Sequence, residues 1–213
     1  MATCRQKSLR RLSLARGHAI VFSGASGTGK TSLTRRLLAA DRDLILSIST
    51  TSRDPRGQER DGVDYHFIER GEFLDRVRAG RFFEWAEVHG NLYGSDRHWV
   101  EEQLASGKDV LFDIDVQGGH KLKDRLPDAR LVLILPPSWE ELERRLRGRG
   151  TDSDEVIERR MAAAKQEMKS ASDYEEIIVN EDLASAVAQA ESLIRLLRRT
   201  TDGRSHLQAL VSA

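Results

Sequence analysis

The chain has 213 residues, 34 Lys+Arg against 34 Asp+Glu, 39% hydrophobic residues and a pI near 7.0. That length suits one domain, or one domain with a small insertion, and the zero formal charge argues against binding DNA, RNA or an anionic membrane through bulk electrostatics. The single cysteine, Cys4, closes no intrachain disulfide, and the longest aliphatic run, Leu131 to Leu135, falls far short of the roughly 20 residues that span a bilayer.

Residues 1–16 carry Arg5, Lys7, Arg10, Arg11 and Arg16 with no acid, and they lack the apolar stretch of a secretory signal. They read as a basic, disordered extension on a cytoplasmic protein. Short apolar runs at His18–Ser23, Leu44–Thr50, Asp109–Asp115, Arg130–Leu135 and Ile177–Asn180 predict strands. Apolar residues at helical spacing predict helices over 30–40, 96–106, 138–148, 154–170 and 182–199. Buried strands alternating with helices predict an α/β domain: a parallel sheet covered by helices on both faces.

Residues 53–95 break the rhythm. Asp64–Ile68, Phe82–Val88 and Asn91–Tyr93 read as short strands around a helix at 71–79, punctuated by glycines, which predicts an inserted small mixed β subdomain. The polar stretch Gly148 to Asp154 is a second interruption and reads as a lid, about 146–156. The domain then spans 17–200, with a core of 17–52 and 96–200, and residues 201–213 form a polar tail.

After the first strand, Gly24-Ala25-Ser26-Gly27-Thr28-Gly29-Lys30-Thr31 fits G-x-x-x-x-G-K-[ST]. Its glycines let successive backbone N–H groups face one anion at the start of a helix. Lys30 reaches the β- and γ-phosphates, and the Thr31 hydroxyl holds Mg²⁺. This motif predicts a P-loop fold that binds a nucleoside triphosphate. No N-K-x-D base-reading motif of the GTPases accompanies it. Asp113 and Asp115 end an apolar strand at the carboxyl edge of the sheet, where Asp113 comes within reach of that Mg²⁺ through water.

Further stretches carry a resemblance. They are Ser47-Ile48-Ser49-Thr50-Thr51-Ser52-Arg53-Asp54-Pro55-Arg56, Gly62-Val63-Asp64-Tyr65-His66-Phe67, Phe83-Glu84-Trp85-Ala86 and Gly90-Asn91-Leu92-Tyr93-Gly94-Ser95. Asp113-Ile114-Asp115-Val116-Gln117-Gly118, Arg145-Leu146-Arg147-Gly148-Arg149-Gly150 and Ile178-Val179-Asn180 follow. In this order and spacing, from about Ala19 to Leu197, the sequence resembles the guanylate kinase family. That resemblance implies transfer of the γ-phosphoryl group of ATP to GMP, and to dGMP, in purine nucleotide metabolism.

The residues support the match. Arg53 and Arg56, three apart beside Pro55, can fork onto phosphate oxygens, and Tyr65 and Tyr93 can donate to the same phosphate. Guanine presents two adjacent donors, which one carboxylate accepts together, and Glu84 is an acid among Phe82, Phe83 and Trp85. The resemblance assigns Glu84 to the base, helped by Ser49, Ser95 and Asp115. It assigns Asn180 to the donor nucleotide. With 27 Arg in the chain, a lone arginine says little, but residues 144–149 hold four. The family's lid arginines match Arg145, Arg149 and Arg160, which with Lys30 and Arg53 form the expected catalytic set; Arg144 and Arg147 read as a solvated face. The acceptor phosphate is itself a nucleophile, so no general base is expected. No structural metal, nucleic acid or membrane partner is expected, and the protein reads as a monomer or small homo-oligomer.

Two positions depart from the family pattern: Ser52 replaces a usual Thr, and the glycine of the turn after Arg56 comes one place early, at Gly57-Gln58. A catalytically inactive scaffold domain that binds a peptide is the alternative, as is a kinase of a sugar phosphate. The first would have lost Gly29, Lys30, Thr31 and the lid arginines, and the second has no reason to keep Glu84 and Tyr93.

Overall fold

The computed structural model describes residues 16–88, 90–148 and 153–211. The expected basic extension therefore lies outside the described residues, apart from Arg16, and so does the middle of the expected lid. Five strands form an all-parallel sheet in the order β2 (Leu44–Leu46), β7 (Asp109–Asp113), β1 (Ala19–Ser23), β8 (Arg130–Leu135), β9 (Glu176–Val179). In β1 all five residues are buried, and their alternation feeds two cores. Ala19 and Val21 join Val100 and Leu104 of α3 (Arg97–Ala105) and Val116 and Leu122 of α4 (Val116–Arg125). Ile20 and Phe22 join Leu33 and Leu37 of α1 (Lys30–Ala40) and Ala186, Ala190 and Ile194 of α7 (Leu183–Val211) on the other face. The α/β class with helices on both faces follows as expected.

A second, four-stranded sheet has the order β4 (His66–Phe67), β3 (Thr50–Thr51), β6 (Asn91–Asp96), β5 (Phe82–Val88), with β3 parallel to β4 and antiparallel to β6. Helix α2 (Arg70–Arg78) lays Phe73 on Phe82 and Leu92 beneath it. Here the single strand expected at Leu44–Thr50 is corrected. It ends at Leu46, paired with Leu111 of β7, and after Ser47–Ser49 the chain enters the second sheet at Thr50, paired with Gly94 of β6.

Helix α4 escaped the sequence reading, since Gly118-Gly119 weaken helix propensity and leave Val116 and Leu122 as its apolar marks. The helix forms because Asp115 caps it, accepting from the Gly118 N–H at 2.7 Å, and because Gly119 lets it lie close to β1. The helix predicted over 154–170 is α6 (Asp154–Glu167) followed by a 3₁₀ turn at Met168–Asp173, and it packs with α5 (Trp139–Arg147) through Leu142, Leu146, Ile157 and Ala164. Helix α7 runs on to Val211, through the stretch read as a polar tail.

A Cβ at Gly119 would stand 2.8 Å from Ser23 Oγ and 3.2 Å from the Tyr174 hydroxyl, whereas at Gly71 it would meet nothing within 4 Å. Gly119→Ala should therefore destabilise the fold by roughly 1–3 kcal/mol through overpacking, against the about 1 kcal/mol that alanine gains in a helix. Gly71→Ala should be neutral or stabilising. Denaturant midpoints of both variants check this; an unchanged Gly119→Ala would mean that α4 does not need its close approach.

Candidate active site

The loop between β1 and α1 turns on three glycines with positive φ: Gly24 (138°), Gly27 (94°) and Gly29 (94°). Two are forced by neighbours as well as by φ. A Cβ at Gly24 would lie 2.4 Å from the Ile134 carbonyl oxygen, and one at Gly29 would lie 2.2 Å from Asn180 Nδ2. Thr28 is fully buried and its hydroxyl donates to the Ala25 carbonyl at 3.0 Å, which closes the turn. Ser26 stands exposed at its tip. Lys30 Nζ donates to the carbonyls of Gly24 and, at 3.3 Å, Ala25, so the ammonium lies across the mouth of the loop.

Three distant segments meet at Thr28. Asn180 Nδ2 donates to its carbonyl at 2.7 Å. Arg145 reaches the same carbonyl at 3.5 Å and the Asn180 carbonyl at 3.0 Å, while its Nε is held by Glu141 at 2.7 Å. Glu141, paired with Arg144 and Arg145, is held down at a pKa of about 2. Arg144 and Arg147 are exposed, as expected of a solvated face. Arg160 is half-buried on α6. Helix α5 ends at Arg147 with Gly148 as its cap, and Arg149 lies outside the described residues.

Parallel pairing of β7 with β1 sets Asp113 beside Phe22, at the strand end from which the loop departs. Thr31 Oγ1 donates to Asp113 Oδ2 at 3.0 Å. A hydroxyl and a carboxylate in contact form a hard-oxygen donor set of the kind that suits Mg²⁺.

The second sheet holds the other expected residues in two groups. Arg53, only 8% exposed, donates from Nε to the Tyr93 hydroxyl at 3.2 Å and sits 5.3 Å above the Tyr65 ring; the Tyr65 and Tyr93 rings are 5.9 Å apart. The sequence reading missed the partner that organises this group. Glu59 takes the Arg53 fork at 2.9 and 3.0 Å and accepts the Arg56 N–H at 2.8 Å. Arg56 itself is exposed. The early glycine proves compatible with this turn: Gly57 takes φ +55°, and the Glu59 N–H closes onto the Arg56 carbonyl at 3.0 Å. Ser52 keeps the hydroxyl of the usual Thr and accepts from the Leu92 N–H at 2.9 Å.

In the second group, a bulge between Phe82 and Trp85 shifts the β5–β6 register. Phe82 and Phe83, alternating across the strand, enter different cores, and the extra residue sets Glu84 opposite Ser95, whose hydroxyl donates to Glu84 Oε1 at 2.7 Å. Burial pushes Glu84 up to about 7, with the charge of Asp115 adding and the Ser95 hydrogen bond opposing. Ser49 is half-buried just before β3. Tyr93 and Ser95 lie two apart on β6 and so share one face of the sheet. A second missed acid is Glu167 at the end of α6, half-buried and under the influence of Lys30 and Asp115. It carries no motif of its own.

Comparison with known proteins follows this geometry. A family model described as guanylate kinase matches residues 16–197. A guanylate kinase of Anaeromyxobacter dehalogenans is 51% identical over 190 residues, 88% of this chain and 84% of the relative. One of Dechloromonas aromatica is 48% identical over 84% of this chain and 89% of the relative. A crystal structure of guanylate kinase from Anaplasma phagocytophilum superposes with a TM-score of 0.69 at 31% identity, covering 85% of this chain and 86% of that one.

The Glu84 carboxyl keeps its proton to about pH 7 in the folded chain and to 4.5 without the burial. The stability contributed by that proton is full below pH 4.5 and is lost as pH rises through 7. Glu84→Gln, neutral throughout, should gain on the parent protein between pH 5 and pH 8, by on the order of 3 kcal/mol at most. Unfolding curves at four pH values test this, and parallel profiles for the two proteins would place Glu84 in water.

Proposed function

The chain belongs to the guanylate kinase family, and from that premise we propose that it transfers the γ-phosphoryl group of ATP to GMP, giving ADP and GDP, and accepts dGMP as well. The observation that supports this most directly is the pairing on β6. Tyr93 belongs to a cationic cluster suited to a phosphate, and Ser95, on the same face, is bonded to a buried carboxylate suited to guanine. Glu84 has an oxygen, Oε2, beyond the one that Ser95 engages, so it can receive both guanine donors, N1–H and the 2-amino group.

In this reading the core, 17–52 and 96–200, holds ATP on Gly24 to Thr31, with Asn180 and Arg145 bracing the loop. The 53–95 insertion holds GMP through Arg53, Arg56, Tyr65, Glu84, Tyr93 and Ser95, with Ser49 and Asp115 added from the core. Lys30 presents positive charge to the β- and γ-phosphates. An oxygen of the GMP phosphate attacks the γ-phosphorus, the bond to the β-bridging oxygen breaks, and ADP leaves with that electron pair. The attacking oxygen is an anion near neutral pH, so no side chain has to take a proton. Catalysis then rests on alignment and on charge neutralisation by Lys30, Arg53, Arg145, Arg149 and Arg160. Thr31 and Asp113, the latter through water, would hold Mg²⁺. Bound there, Mg²⁺ would neutralise phosphate charge.

We further read the protein as a cytoplasmic enzyme, a monomer or small homo-oligomer, with nucleotides rather than nucleic acids or membranes as partners. Among the described residues no helix is long and apolar enough to cross a membrane. The scaffold alternative finds no support, since Gly29, Lys30 and Thr31 retain their places around the loop.

A coupled assay of ADP release with GMP, dGMP, AMP, CMP and UMP offered in parallel tests the acceptor. GMP should lead by a wide margin, and a flat series would refute the assignment. In Glu84→Gln an amide N–H faces a guanine donor, so kcat/KM for GMP should fall at least about 100-fold while AMP changes little. An equal fall for both would make Glu84 structural.

Lys30→Ala removes charge from the phosphates and nothing from either core, so kcat should drop at least roughly 100-fold with the melting temperature nearly kept. Turnover close to the parent's would overturn the phosphate role of the loop.

A further inference from the structure

The pairing of Arg53 with Glu59 raises a question that the family membership does not answer. A bidentate carboxylate on the arginine meant for the acceptor phosphate is either an occupant that the phosphate must displace or a brace that stays. Counting hydrogens decides between them. A guanidinium has five N–H groups. Nη1 of Arg53 donates to the Asp54 carbonyl at 2.7 Å and to Glu59 Oε2 at 2.9 Å, which uses both of its hydrogens. Nη2 donates one to Glu59 Oε1 at 3.0 Å, and Nε donates its own to the Tyr93 hydroxyl at 3.2 Å. The hydrogen left over is the second on Nη2. In a planar guanidinium that hydrogen points to the Nε side, beside Tyr93. The edge turned towards Tyr93 is thus a separate fork from the one Glu59 holds.

Glu59 is itself tightly tethered. It accepts the Arg56 N–H at 2.8 Å and donates its own N–H to the Arg56 carbonyl at 3.0 Å, so the turn that carries Arg56 is closed on the carboxylate that holds Arg53. One acid thereby sets the side chain of one arginine and the backbone of the other. Arg53 is 8% exposed and Glu59 26%, so water competes little for the pair.

We propose that Glu59 is a positioning residue for the acceptor phosphate: it holds the outer fork of Arg53 so that the Nε–Nη2 edge, together with Tyr93, faces that phosphate. A carboxylate so close to a phosphate site repels a dianion, and the arrangement works because the guanidinium lies between them, presenting one face of donors to each. Pre-orienting the arginine spares the phosphate the entropic cost of ordering a long side chain. The proposal rests on the acceptor site as read above.

The test is an NMR titration of GMP, and separately of guanosine, which lacks the phosphate, into the full-length parent, Glu59→Gln and Glu59→Ala. Glu59→Ala should weaken GMP roughly tenfold or more, with guanosine changed by less than about twofold. Glu59→Gln keeps the volume and one acceptor, and should fall between parent and alanine variant. In steady state, KM for GMP should rise with KM for ATP unchanged. Tighter GMP binding in either variant would make Glu59 the displaced occupant, and an equal loss for GMP and guanosine would make it merely structural; both overturn the proposal, as does unchanged GMP binding. A parent protein that binds neither ligand would instead sink the acceptor-site reading on which the proposal stands.

Discussion

The molecule depends on a stretch of backbone that passes where no side chain fits. Backbone N–H groups hold an anion only if several of them are fixed at once, and a loop left to itself has no reason to stay curled. Here it is clamped from outside. The Ile134 carbonyl presses on Gly24 from β8, and the Asn180 side chain presses on Gly29 from beyond β9. The parallel order β7-β1-β8 puts that loop at the centre of the sheet's carboxyl edge, which is why Asp113, next door on β7, comes to rest against Thr31.

The second sheet handles its two buried charges in opposite ways. Arg53 is held within the chain by a carboxylate, a carbonyl and a hydroxyl, so its orientation is set before any ligand arrives. Glu84 has Ser95 as its hydrogen-bond partner and, among the described residues, no cation in contact, which leaves its charge expensive. A pairing completed inside the chain serves geometry. One left unfinished leaves room for something from outside to complete it.

Much of this was legible in the sequence for a plain reason: strands buried on both faces leave runs such as Leu131 to Leu135, and phosphate loops leave glycines at fixed spacing. What was not legible depended on neighbours far away in the chain. Helix α4 was hidden because Gly118 and Gly119 answer to Ser23, Tyr174 and the Asp115 cap, not to helix propensity. The run from Leu44 to Thr50 reads as one strand, but its two ends pair in different sheets, at β7 and at β6. Glu59 sits in a polar turn with four other charged residues, Arg53, Asp54, Arg56 and Arg60, where an acid attracts no notice until it is seen on Arg53.

The junction at Thr28 has a consequence for how the chain comes into being. The residues that bind its carbonyl, Arg145 and Asn180, emerge from the ribosome long after it does, and Asn180 lies 152 positions downstream. The central strand β1 likewise waits for both of its neighbours, β7 and β8. A nascent chain that stops before β9 holds the entire phosphate-loop motif yet lacks the Asn180 clamp that presses it into shape. The earliest-made part of the site is therefore among the last to be finished, and growth from the N-terminus gives it no head start.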